Sequence, residues 1–150
     1  MAFETTDLNL GAFTLIGQMT NVAATDDIMR DDEAFDITIE WHVEGSALDP
    51  SSALGLKPGE WKATAHLESI GSAAGEHDLG PAAIRWDAGT FDPALLRYSY
   101  SVTIPVTAGF LSSGLYKLAA AVTYTLDSTG GPARMAGFVE GVVFQVYDAP

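Results

Sequence analysis

Two histidines and a scatter of acids are the residues whose types and spacing could do chemistry, and the chemistry would be metal binding. His42 and His66 fall on the polar sides of two alternating segments, AFDITIEWHVEG at 34–45 and EWKATAHLESI at 60–70, with Glu40, Glu44 and Glu68 beside them. If those segments are hairpin neighbours and residue 42 lies opposite residue 66, imidazole nitrogens and carboxylate oxygens converge in the donor set that zinc and similar ions take. Lys62 shares that face and the loop between the segments leaves the register open, so the plainer reading is the wet side of an antiparallel sheet. A second set, Asp26, Asp27, Asp31 and Asp32, with Glu33 and Asp36 close by, offers the hard oxygens that calcium prefers. It lacks the alternating Asp/Asn spacing and central glycine of an EF-hand loop, and a charge run is more often simply hydrated.

Catalytic patterns are missing. The chain has no G-x-S-x-G elbow, no H-E-x-x-H helix, no phosphate-cradling G-x-x-x-x-G-K and no dinucleotide fingerprint. Ser72 and His77 stand near Glu76 and Asp78, but nothing nearby advertises the oxyanion hole a serine nucleophile requires. The expectation is a chain that is not an enzyme and uses no cofactor. Trp41, Trp61 and Trp86 fall at predicted inward positions, where a large ring serves the core, which leaves Phe91, Phe110 and Tyr147 as candidates for a sugar-stacking platform.

The elements that would position these residues are strands. From Tyr116 to Asp127 the even positions are Tyr, Leu, Ala, Val, Tyr and Leu, and the odd ones are Lys, Ala, Ala, Thr, Thr and Asp. That period of two, carried by β-branched and aromatic residues, suits a pleat with one face in the core. LRYSYSVTIPV at 96–106 alternates the same way, as do 34–45 and 60–70; Leu8–Gly17, with Gln18–Ala24 as an extension of it, 77–86 and 135–147 complete seven strands. The acidic stretch at 25–33 reads as a solvated connection with Ile28 or Met29 tucked inward. SALDPSSALGLKPG at 46–59 and DAGTFDPA at 87–94 read as crossings at the ends of a sandwich.

Ahead of the central strand, Ser112-Ser113-Gly114-Leu115-Tyr116-Lys117-Leu118 resembles the tyrosine corner of immunoglobulin-like domains, in which a Tyr at the start of strand F hydrogen-bonds back to the chain upstream. Antibody-type members carry a cysteine two residues after that Tyr, and here the position is Leu118. The resemblance is therefore to cysteine-free relatives such as fibronectin type III domains and similar bacterial modules. It implies a seven-stranded immunoglobulin-like antiparallel β-sandwich formed as a single domain, and it is silent about activity.

Composition narrows the partners. The 150 residues carry 20 acids against 7 Lys plus Arg, a net charge of −13, which works against nucleic acid and anionic membrane because such partners demand cations from the protein. The absence of cysteine removes disulfides, thiolate chemistry and Cys-based zinc sites. No secretory signal and no run of about 20 apolar residues is recognisable, so the expected setting is the cytoplasm. The last strand, 135–147, is apolar on both sides: Phe138, Val142, Phe144 and Val146 on one, Val139, Val143 and Tyr147 on the other. A second apolar face needs a second cover, either the N-terminal segment or a partner. The expected function is a non-catalytic interaction module that binds another protein or itself through Val139, Val143 and Tyr147; the alternative is a glycan- or calcium-binding sandwich using the acidic loops.

Overall fold

The computed structural model describes residues 4–5, 16–48, 59–71, 75–125 and 133–150. Strand is the dominant element, because segments with a period of two can bury one face and satisfy their backbone groups only by pairing sideways. Ten strands are present among the described residues: β1 Glu4–Thr5, β2 Ile16–Ala24, β3 Ile28–Arg30, β4 Phe35–Glu44, β5 Glu60–Ile70, β6 Glu76–Arg85, β7 Thr90–Asp92, β8 Arg97–Val106, β9 Gly114–Thr125 and β10 Ala133–Tyr147. Seven were expected. The additional ones, β1, β3 and β7, are two or three residues long and lie outside any alternating run, where the sequence has no period to display. Of the expected first strand at 8–17, only 16 and 17 fall within the described residues.

The strands form two sheets. One has the order β2-β4-β8-β7; the other runs β1-β10-β9-β5-β6, with β3 pairing parallel to β10. Their facing sides make the core, and its centre is aromatic. Trp41 on β4 lies directly opposite Tyr100 on β8, and Trp61 on β5 directly opposite Tyr124 on β9. The four rings meet across the sheets: Trp41 stacks on Tyr100 with centroids 5.5 Å apart, Trp61 meets the edge of Trp41 at 5.8 Å, and Trp61 tilts against Tyr124 at 5.1 Å. Towards the other end Phe144 joins Phe35 and Tyr116, each at 5.8 Å. Offset and edge contacts of this kind add to the burial term.

Buried phenols require partners for their hydroxyls. The Tyr116 hydroxyl donates to the Ser112 carbonyl at 2.8 Å, the upstream bond that the GLYKL motif leads one to expect. Tyr100 donates to the Trp86 carbonyl at 2.7 Å, and Tyr124 accepts from the Gly59 amide at 3.1 Å. Burial pushes the Tyr124 phenol up to about 12, against the smaller opposing pull of the Gly59 amide, and burial likewise raises Tyr100 well above the usual phenol value. Both rings ionise more readily in the unfolded chain than in the fold. Their contribution to stability is therefore complete below pH 10 and is lost as pH rises towards about 12. Denaturant midpoints measured across that window should fall.

The crossing from β4 to β5 corrects one expectation. These strands are not hairpin neighbours: β4 pairs with β2 and β8, β5 with β6 and β9, so the loop between them carries the chain from one sheet to the other. Ser46–Leu48 forms a single 3-10 turn at its start, and 49–58 lie outside the described residues. The 25–33 stretch also departs from a plain solvated connection. Met29 is buried while Ile28 is exposed, and the two belong to β3, which seals part of the β10 edge. No helix among the described residues is long and apolar enough to cross a membrane.

Candidate functional site

The proposed metal constellation is not assembled. His42 and Glu40 lie on the outer side of the β2-β4-β8-β7 sheet, and His66 and Glu68 lie on the outer side of the other sheet, so the whole core separates them. Burial, reinforced by the neighbouring Arg97 cation and opposed by Glu44, holds His42 below the ordinary imidazole value. Arg97 itself forks onto a single Glu44 oxygen at 2.8 and 3.1 Å. His66 turns to its strand neighbour instead, with Nδ1 2.5 Å from an Asp78 carboxylate oxygen.

Two acids of the calcium alternative, Asp31 and Asp32, use their carboxylates to tie the β3 region down. Arg30 pairs with Asp32 at 2.8 Å and lies 3.8 Å from Glu33. Asp31 accepts the Ala149 amide on its carboxylate and the Gly109 amide on its carbonyl, at 2.9 and 2.8 Å, while the Asp27 carbonyl takes the Gln145 amide at 2.8 Å. Asp26 sits in the same turn between β2 and β3. No group of three or more His, Asp or Glu side chains placed to hold a metal is present among the described residues. Of the platform aromatics, Phe91 is partly buried against Tyr98 with centroids 4.7 Å apart, whereas Phe110 and Tyr147 are exposed.

The outward side of β10 is composed differently from the expected Val139, Val143 and Tyr147. Between Glu140 and Val143 the strand advances three residues while β9 advances two, a β-bulge that exchanges inward and outward positions. Before it Val139 points to the core and Phe138 to solvent; after it Phe144 and Val146 are buried and Val143 and Tyr147 are exposed. A strict period of two therefore assigned Phe138 and Val139 to the wrong sides. Gly141 belongs in the bulge for a steric reason: a Cβ there would lie 2.6 Å from Val22 and 2.8 Å from the Leu118 carbonyl.

Around Val143 the register lines up a larger surface. One row crosses β5, β9, β10 and β3 as Ile70, Leu115, Gln145 and Ile28; the next is Glu76, Glu68, Lys117 and Val143; the third is Asp78, His66, Ala119 and Glu140; Thr64, Ala121 and Phe138 follow. Nine large apolar side chains are exposed among the described residues. Six of them, Ile28, Ile70, Leu115, Phe138, Val143 and Tyr147, stand on this one outer face, each at least 40% exposed. Beside the apolar rows lies a groove of about 330 Å³, whose lining includes Glu68, Glu76, Lys117, Ala119, Phe138 and Glu140. Lys117 reaches Glu140 at 3.0 Å. A second groove of about 420 Å³ at the β7–β8 end of the other sheet is lined mainly by Ser, Thr, Gly and Ala, with Glu40 as its one charge among the described residues.

Ile70 and Leu115 were not singled out from the sequence, and Ile28 was considered only as a residue tucked inward. A signal existed for Ile70, the one apolar residue in the outward set Lys62, Thr64, His66, Glu68, Ile70. Leu115 likewise precedes an outward series of small and polar residues. What alternation cannot show is that strands distant in sequence set these positions side by side. The chain matches no protein-family model and no curated protein.

Proposed function

We propose that this chain is a non-catalytic immunoglobulin-like interaction module that binds another protein over the outer face of β6-β5-β9-β10, centred on Leu115 and Val143. The concentration on that one face of six of the nine large apolar side chains exposed among the described residues carries the reading, since apolar residues scattered singly need no explanation and a gathering on one face does. The strand orders support the immunoglobulin-like part. β2, β4, β8 and β7 follow the A, B, E, D order of such a sandwich, and β10, β9, β5 and β6 follow G, F, C and C′. The Tyr116 bond to Ser112 supports it as well.

Charge favours a different protein over a second copy. Glu68, Glu76, Asp78 and Glu140 share the face, and two copies meeting through it would bring those acids together. The test is affinity capture from the native host with three baits. Wild type and Ser101→Asp, which alters the outer side of the opposite sheet, should retain the same protein, and Val143→Asp should reduce its capture about tenfold or more, the loss expected of a charge placed at the centre of an apolar interface. Equal retention by all three, with Val143→Asp still folded, would remove this face from consideration.

A further inference from the structure

We propose that the groove across β6, β5, β9 and β10 receives an arginine or lysine side chain of the partner, so that the segment bound here is basic and apolar by turns. The proposal deepens the face reading and rests on it. Among the described residues four acids line the groove against two possible cations, and both of these cations are already matched, Lys117 by Glu140 and His66 by Asp78. The remaining two, Glu68 and Glu76, lie directly opposite each other on β5 and β6; Lys117 stands on the other side of Glu68 but pairs with Glu140, and neither Glu68 nor Glu76 is in an ion pair among the described residues. Like charges facing across an antiparallel pair repel and weaken the pairing, and a cation seated between them converts that repulsion into two attractions.

Shape agrees with charge. Ala119 lies between His66 and Glu140 in its row, and its single methyl leaves the depression that longer neighbours surround. A volume of about 330 Å³ is at the small end for a ligand pocket, suited to one long side chain rather than a large molecule. Phe138, 44% exposed, forms an apolar wall against which an alkyl stem lies or a guanidinium stacks. The row of Ile70 and Leu115, next to the Glu68–Glu76 row, takes the apolar residues on either side. A free amine would use the groove and leave that row uncovered, which is why the occupant is assigned as a protein segment.

The experiment uses the full chain and two labelled peptides of alternating leucine and arginine, one of them with citrulline, the neutral isostere, at every arginine. Anisotropy titration is expected to show the arginine peptide binding about tenfold tighter than the citrulline peptide, with that advantage abolished by Glu68→Gln plus Glu76→Gln. Asp36→Asn, on the opposite sheet, should leave it unchanged. Removing the facing acids should also leave the melting temperature no lower than wild type, which separates loss of binding from loss of fold. Equal binding of the two peptides, weakened for both by Val143→Asp, overturns the cation seat and leaves the face standing. An arginine advantage that falls as much with Asp36→Asn shows diffuse attraction to an acidic chain and overturns it too. Failure of both peptides to bind at millimolar concentration overturns the seat, while the face is overturned only by equal capture of the host protein by wild type and Val143→Asp.

Discussion

Trp61→Ala is expected to destabilise the protein by about 3–5 kcal/mol, the range for emptying a fully buried aromatic site. Trp61 has no exposed surface, and its ring touches Trp41 and Tyr100 from the opposite sheet and Tyr124 from its own, with centroids 5.1 to 5.8 Å apart. Its removal opens a void between layers rather than at an edge, where strands could close over it. A domain has roughly 5–15 kcal/mol of stability in total, so a large fraction of the fold's margin would go. The urea midpoint should fall with little change in slope, and the melting temperature should drop by roughly 10 °C or more. Trp61→Phe, which refills most of the volume, should recover a substantial part. A loss below about 1.5 kcal/mol for the alanine variant would mean that the two sheets are not joined through these rings.

Gly59→Ala, a change of one methyl, is expected to cost about 1–3 kcal/mol by overpacking. A Cβ at this position would overlap the Tyr124 phenol and the Thr125 carbonyl, and the second of these is backbone that cannot rotate away. The Gly59 amide also donates to the Tyr124 hydroxyl at 3.1 Å, so displacing the ring breaks the bond that satisfies a buried oxygen. The two causes can be separated. Tyr124→Phe removes the hydroxyl and part of the overlap, so the double variant should be less destabilised than the sum of the singles. Strict additivity would place the cost of Gly59→Ala in the loop leading to β5 and not at Tyr124.

Much of the architecture was legible because alternation reports directly on burial. Ile37, Ile39, Trp41 and Val43 are all buried, as are Trp61, Ala63, Ala65 and Leu67, and Tyr116, Leu118, Ala120, Val122 and Tyr124. Each set is the inward half of a run with a period of two. β1, β3 and β7 were not legible, since two or three residues cannot establish a period. Phe138 and Val139 were assigned to the wrong sides because one extra residue in a bulge reverses the alternation, and the glycine that permits it looks like any other glycine in a strand. The metal set failed for a different reason. Proximity in sequence placed the His42 and His66 strands in one hairpin, whereas the long loop between them crosses to the other sheet.

By itself the sequence determined which side of β4, β5, β8 and β9 is greasy, because in a strand without a bulge that depends only on neighbours two residues away. It also determined that Tyr116 could reach back to Ser112, four residues upstream and within the reach of a single side chain. Tertiary structure alone decided which outward residues share a surface. Ile28, Ile70, Leu115 and Val143 come from four strands far apart along the chain, and the opposed acids Glu68 and Glu76 owe their meeting to the β5–β6 register. Register is a property of pairs of strands, set by how whole faces pack, and no single segment contains it.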